Sequence, residues 1–345
     1  MLDQGYQLAK TLSDHPKIDS ITILQDDACD DTTEPFVSYP TDLPNVDVIR
    51  APLGDDSLNA NLMRAILDRE SYEYVWDNAS KKPEGAAKAI CELAKSWDCK
   101  LYTYVSSAGV YKTDTNTPFP MAETTPVKDS AGQIQFENFV VESGLPLVSF
   151  RPQYIYGPKS NKHDYIDWYF DRLVRDLPLP IPADGTQKVS LTNSEDVASL
   201  LASVLNDEEA AKEQRIFNCG TDDLVTYDEL AYMCAEAAGI PKDDVKIEHY
   251  DGDLFGKANF PFRLTDFYVA PDTAKSILGW SGPKHTLKGD LTSYFESYKA
   301  RGGPEKKMSL VKDWEIVFGS KSTFAVNSVY DLYDPLIIDL SDVRD

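Results

Sequence analysis

The chain has 345 residues, 42% of them hydrophobic and 26% charged, with a formal net charge of −23. That is room for one large α/β domain, or for such a domain with a smaller lobe. The acidic balance argues against a broad grip on nucleic acid or anionic lipid, which needs clustered Lys and Arg, and leaves only a local basic groove open; no run of about 18 apolar residues exists, so no membrane span is expected.

The opening residues, MLDQGYQLAK, lack the basic start and apolar core of a signal peptide and do not read as a transit peptide. Gln4 to Ser13 has helical spacing, with Tyr6, Leu8, Ala9 and Leu12 as its apolar set. Ser20 to Leu24 reads as a buried strand ending at Gln25, Asp26 and Asp27. In dinucleotide-binding halves an acidic residue at this strand end takes the ribose hydroxyls, and Asp26 stands at the right offset from Gly5; DDACDD also reads as a solvated acidic loop. Asn45 to Arg50 is a third strand, Leu58 to Asp68 a helix, and Tyr72 to Trp76 a fourth strand that runs into Asp77, Asn78, Ala79 and Ser80. Pro83 to Trp97 is helical. Leu101 to Val105 is an apolar run that stops at Ser106, Ser107, Ala108 and Gly109, which places two hydroxyls at the carboxyl end of a buried strand.

Further on, Gln135 to Ser143 continues as a helix and Leu147 to Phe150 as a strand leading into Arg151. Asp164 to Asp176 is a helix rich in aromatics, Leu177 to Pro182 is extended, and Thr192 to Asn206 holds a helix. Arg215 to Asn218 is a late strand, Asp228 to Ala238 a helix, and Lys246 to Tyr250 a candidate strand. Asp272 to Leu278 and Thr286 to Tyr298 are helices. From Arg301 the pattern turns irregular and reads as a C-terminal extension.

This strand–helix rhythm predicts the α/β class: a Rossmann-like, doubly wound parallel sheet with a smaller C-terminal substrate-type lobe. The expected division is a nucleotide-binding core over 1–158, the rest of the core with the small lobe over 159–300, and an extension over 301–345. One part is missing. Such a fold begins with a strand and a glycine-rich turn before its first helix, and neither stands ahead of Gly5. Either the start is truncated or another segment fills the slot; as written, the phosphate cradle is incomplete. Loss of that central strand is expected to leave two strand edges open. The five cysteines form no CxxC pair and the four histidines are scattered, so no metal site is expected, and the sparse thiols fit a reducing compartment.

SSAGVY (Ser106 to Tyr111), followed later by SFRPQYIYGP (Ser149 to Pro158), resembles the extended short-chain dehydrogenase/reductases. With WYFDRLVRD (Trp168 to Asp176), HYD (His249 to Asp251) and FPFR (Phe260 to Arg263), the chain is similar to the chloroplast stem-loop binding proteins, an atypical branch of that superfamily. The resemblance implies an NAD(P) crevice with Gly5, Asp26, Asn78, Ser80 and Arg151 along it, and Tyr154 and Arg263 facing substrate. It also implies a catalytic serine, at Ser106 or Ser107, and a Tyr–Lys pair one helical turn apart. In the superfamily the tyrosine moves the hydroxyl proton and the lysine lowers its pKa. If Gly132 is the glycine that follows the tyrosine, the pair falls on Ala131 and Gln135, and Lys128 to Gly144 holds no tyrosine at all. Dehydrogenase or epimerase catalysis is therefore expected to be lost, unless Ser106 or Ser107 works with Tyr111 and another base.

For the narrower branch the resemblance implies plastid location, binding of RNA stem-loops, a ribonuclease activity helped by a divalent metal, and assembly into homo-oligomers or larger protein complexes. Lys159, Lys162, Arg172 and Arg175, with Tyr165, Trp168 and Tyr169 between them, are the basic and aromatic interval expected to meet RNA. An aromatic face at helical spacing is also what a core-packing helix looks like. Two other readings stay open: an NAD(P)-dependent nucleotide-sugar epimerase or reductase, and a non-catalytic subunit of a plastid complex.

Overall fold

A computed structural model describes residues 3–55, 57–67, 71–114, 116–160 and 162–319; residues 320–345 of the expected extension lie outside the described residues. In chain order the first elements are α1 (Asp3–Ser13), β1 (Ile21–Asp26), α2 (Tyr39–Asp42), β2 (Val46–Ala51), α3 (Ala60–Leu67) and β3 (Tyr74–Asp77). Then come α4 (Gly85–Ser96), β4 (Leu101–Val105), α5 (Gly132–Glu142), β5 (Leu147–Pro152), β6 (Ile155–Tyr156), α6 (Asp164–Leu173) and β7 (Leu179–Pro182). β8 (Lys188–Ser190), β9 (Thr192–Asn193), α7 (Ser194–Ala202), α8 (Glu208–Gln214), β10 (Ile216–Cys219), β11 (Leu224–Thr226) and α9 (Tyr227–Ala237) follow. The last are β12 (Ile247–Tyr250), α10 (Gly252–Phe255), α11 (Asp272–Leu278), α12 (Leu287–Ala300) and α13 (Val311–Gly319).

The chain divides into two units, each drawn from separate stretches of sequence. The first takes Met1–Lys162, Ser190–Asp222 and Tyr268–His285. The second takes His163–Val189, Asp223–Phe267 and Thr286–Asp345. These interleaved units differ from the contiguous boundaries expected after residues 158 and 300.

The first unit is the Rossmann-like α/β core. β3, β4, β5 and β10 form one parallel sheet in the order β10-β5-β4-β3, with Tyr74 opposite Leu101, Tyr102 opposite Leu147 and Ile216 opposite Ser149. Every residue of β4 and β5 is buried, as an all-parallel strand covered on both faces requires. On one face Leu8 and Leu12 of α1 pack with Val197 and Leu201 of α7 against Val105, Phe150 and Phe217. On the other, Cys91 of α4 and Phe136 and Val140 of α5 pack against Tyr102 and Tyr104.

β1 and β2 stand as a parallel pair of their own, Ile21 opposite Val46. Among the described residues β1 pairs only with β2, and β3 pairs only with β4. In the doubly wound order the first strand lies between these two positions. The interruption therefore falls where the sequence lacked a strand.

The second unit holds the parallel pair β7–β12, the pair β8–β11, and α6, α9, α12 and α13. Its centre is aromatic. Tyr165 stacks on Phe262 at 5.7 Å, Trp168 meets Phe260 edge-on at 5.2 Å, and Phe170 lies 4.8 Å from Phe295. Of the rings expected to stack on RNA bases, Trp168 and Tyr169 are thus core and Tyr165 is half-buried against Phe262. Residues 301–319, expected to be irregular, include α13, whose Asp313 and Ile316 are buried, together with Leu310 just ahead of it.

All five thiols are free. Burial pushes Cys91 up to about 12 and Cys99 up to about 11, and raises Cys219 and Cys234 well above the ordinary thiol range. Cys29 alone is partly exposed. Iodoacetamide at pH 8 is therefore expected to label Cys29 in the native protein and all five cysteines after denaturation, read by peptide mass spectrometry.

Candidate functional site

The carboxyl ends of β3, β4, β5 and β10 share one edge of the first unit, where parallel sheets hold their ligands. The turn after β3 is built on Asp77. One carboxylate oxygen accepts the backbone N–H groups of Ala79 and Ser80 at 3.1 and 2.9 Å, and the other accepts the Tyr102 hydroxyl at 2.7 Å. Tyr104 donates to the Ser80 carbonyl at 2.8 Å, so two phenols of β4 fix the turn. This turn presents Asn78 to the start of α1: a Cβ on Gly5 would come 3.0 Å from the Asn78 amide nitrogen. Gly5, Asn78 and Ser80 are therefore brought to one neighbourhood. Asp26 ends β1, accepts the Ala28 N–H at 3.2 Å through Oδ1, and lies with Oδ2 close to Gly54.

At the end of β4 the two serines differ. Ser107 is spent on its own turn, accepting the Gly109 N–H at 3.0 Å. Ser106 is 1% exposed and, among the described residues, its hydroxyl has no partner. Tyr111 is fully buried and donates to Asn218 Oδ1 at 2.7 Å. Burial pushes its phenol up to about 12, although the Arg151 guanidinium, 5.0 Å from the ring centroid, pulls the other way. A phenol so placed lies inside the core with its hydroxyl hydrogen bond given to Asn218. The expectation that Tyr111 serves catalysis is corrected on that ground.

Arg151 is likewise turned inward. Its Nη2 and Nε donate to Glu137 of α5 at 2.7 and 3.3 Å, and Ser149 donates to the same carboxylate at 2.8 Å. Arginine and glutamate side chains are 5% and 8% exposed. A buried guanidinium held this way stabilises the β5–α5 contact and does not reach into the crevice, which corrects the cofactor role expected of Arg151. Glu137 was not anticipated; its signal was a charge at the helical spacing of Ile134 and Val140.

α5 occupies the place where the superfamily carries its proton-handling pair. Here Ala131 is the residue before the helix, Gln135 is exposed, and no tyrosine or lysine lies within Gly132–Glu142. A Cβ on Gly132 would stand 2.5 Å from the Lys81 carbonyl, so the helix start is seated directly on the loop after Ser80. Lys128 donates to the Gly109 carbonyl at 3.0 Å and therefore lies beside the Ser106–Gly109 turn, while the buried phenol of Tyr111 is turned to Asn218. Of the groups a nicotinamide dinucleotide needs, the ribose end fits: Asp26 is an exposed-edge carboxylate opposite a glycine. The hydride end does not fit, because α5 supplies neither phenol nor amine.

The basic interval divides. Arg172 is 2% exposed; its Nε and Nη2 lie 2.7 and 2.6 Å from Asp313, and its guanidinium stacks 3.9 Å from the Trp168 ring. Arg175 spends its Nη2 on the carbonyls of Gly303, Pro304 and Lys306 at 2.7–2.9 Å. Neither offers a charge to RNA, and the expectation for both is corrected. Lys159 sits 2.7 Å from Glu34 and 2.6 Å from the Ser38 hydroxyl; Lys162 is exposed. Arg263 stacks 3.6 Å above Phe267 in the second unit, and Tyr154, in the first, accepts the Thr192 N–H with its carbonyl at 3.1 Å.

A family model described as "NAD dependent epimerase/dehydratase family" matches residues 79–220. The chain is 32% identical over 265 residues to the chloroplast stem-loop binding protein of 41 kDa b of Arabidopsis thaliana, covering 76% of this chain and 68% of that protein. Among solved structures it is similar to Pal from Bacillus thuringiensis, at 20% identity and TM-score 0.66 over 86% of this chain and 96% of that one. It is equally similar to a dTDP-glucose 4,6-dehydratase from Bacillus anthracis solved with NAD, at 17% identity and TM-score 0.66 over 86% and 93%. At those identities the two structures speak for the fold alone. The chain belongs to the chloroplast stem-loop binding protein family, on the Rossmann-like fold of the NAD-dependent epimerases and dehydratases.

Proposed function

We propose that this chain is a plastid protein that binds structured RNA on an epimerase-type scaffold from which the redox chemistry has been lost. The observation that carries the reading is α5: the helix that should bring a tyrosine and a lysine to the Ser106 hydroxyl has neither. The chloroplast stem-loop binding relative supports both the RNA and the plastid parts. Within the first unit Lys81 and Lys82 are exposed cations on the loop that seats α5, Lys82 in an exposed ion pair with Glu84, and Lys128 lies nearby on the Gly109 carbonyl. The start of α5 adds the partial positive charge of a helix N-terminus. Lys162 is a further exposed cation of this unit. Cleavage of the bound RNA with a divalent metal, and assembly with itself or with plastid partners, are the finer parts of the same reading.

Filter binding of a stem-loop RNA across a salt series tests it. Affinity is expected to fall steeply with salt, and each lysine of Lys81, Lys82 and Lys128 that meets a phosphate is expected to take about 1 off the slope when replaced by glutamine. Titration of the same protein with NADH, followed by nicotinamide fluorescence, is expected to show at most binding and no turnover. Unchanged RNA affinity and slope in the triple variant would remove this face, and turnover of a nucleotide sugar would remove the reading itself.

A further inference from the structure

The second unit carries a groove that neither the crevice nor the RNA reading uses. Between α9 and the start of α12 lies a depression of 640 Å³, floored by Leu224, Tyr232, Met233 and Leu287. Ile240 closes it on one side and also lines a second depression, of 730 Å³, that runs on past Val174 and Pro241. The two depressions meet at Ile240, and each has apolar side chains in its lining. Leu224 is 37% exposed at the edge of this floor.

The rim is acidic. Asp223, Glu229 and Glu236 border the first depression, and Asp176, Asp243 and Asp244 the second. Three lysines stand with these six acids: Lys242 over the Tyr232 ring at 4.4 Å, Lys246 paired with Asp176 at 2.7 Å and Lys288 paired with Glu236 at 3.5 Å, so the rim keeps an excess of negative charge that is concentrated at Asp243 and Asp244. Such a rim repels phosphate-bearing ligands, RNA and anionic membranes included. A second copy of this chain brings its own net charge of −23. Residues 320–345 carry five acidic and two basic side chains and are the wrong sign as well. The surface that complements it is apolar and positively charged.

We propose that this groove docks a basic amphipathic segment of a partner protein, apolar side chains on Met233 and Ile240 and Lys or Arg side chains against the rim. A helix laid in a groove is the usual form of such docking, and a methionine in the floor adapts to the shape of the incoming side chain. The groove belongs to the second unit and the RNA face to the first, and this proposal does not rest on the RNA reading.

The test uses the full chain and a fluorescein-labelled synthetic helix of leucine and lysine, its leucines on one face, read by fluorescence anisotropy. Binding is expected, weakened about tenfold or more by Asp243→Asn with Asp244→Asn and, independently, by Met233→Ser, with melting temperature and RNA affinity unchanged. A peptide with its leucines changed to serine is expected not to bind. Equal binding of the serine peptide would mean attraction to net charge alone and would overturn the proposal. So would full-strength binding to both variants, or loss of stem-loop RNA binding in either of them.

Discussion

Glu137→Leu is expected to lower the free energy of unfolding by about 3–5 kcal/mol, because it leaves the Arg151 guanidinium buried without its carboxylate. Burial sets this size. Both side chains are under a tenth exposed, and the carboxylate takes three hydrogen bonds, two from Arg151 and one from Ser149. Removing the acid strands all three donors inside the sheet–helix contact, where unsatisfied polar groups are costly. Arg151→Met placed on top is expected to recover most of the loss, since a buried ion pair replaced whole by apolar groups of similar volume is close to neutral. Urea denaturation of the two singles and the double measures the coupling. A Glu137→Leu midpoint within error of the parent would mean that the pair does not hold α5 to β5.

Arg172→Glu is expected to unfold the second unit, costing at least about 3–5 kcal/mol. The substitution sets a second carboxylate against Asp313 in a site that is 2% exposed on the arginine side, and it removes the cation stacked on Trp168. Circular dichroism in the near ultraviolet reads the result, because Trp168 sits in that contact. Arg172→Met is expected to be milder than the reversal yet still destabilising, since it leaves Asp313, whose carboxyl burial already raises above its ordinary range, without its counter-charge. Reversal of this arginine looks from the sequence like a clean probe of an RNA surface. In the folded protein any lost RNA binding would follow from lost structure, and the spectrum separates the two outcomes.

Arg172 also explains which parts of the molecule can be read from the sequence. The β4 and β5 runs, the polar residues that end them and the apolar face of α4 announce themselves locally, because strand period, helix period and small residues at a strand end are neighbours in the chain. Arg172 and Asp313 are 141 positions apart. Each reads as a surface charge, and only their meeting makes a core contact. The same buried aspartate breaks the apolar spacing of α13 and makes 301–319 look irregular. α8 was missed for a different reason: at seven residues, started by the Asp207 side chain accepting the Ala210 N–H, it offers too little periodicity to count. At the candidate site, the residues that end strands were legible and the direction of their side chains was not. Ser106 and Ser107 are adjacent and identical, yet one hydroxyl is spent on a turn and the other is left without a partner among the described residues.

The interleaving of the two units bears on how the polypeptide can be made. The chain passes from one unit to the other five times, after residues 162, 189, 222, 267 and 285. Ala274, Leu278 and Trp280, which complete the hydrophobic cluster around α7 and β10, belong to the last stretch of the first unit to be translated. A ribosome must therefore synthesise the whole of the first unit and more than half of the second before the nucleotide-type core can close, and no single cut in the gene yields either unit alone.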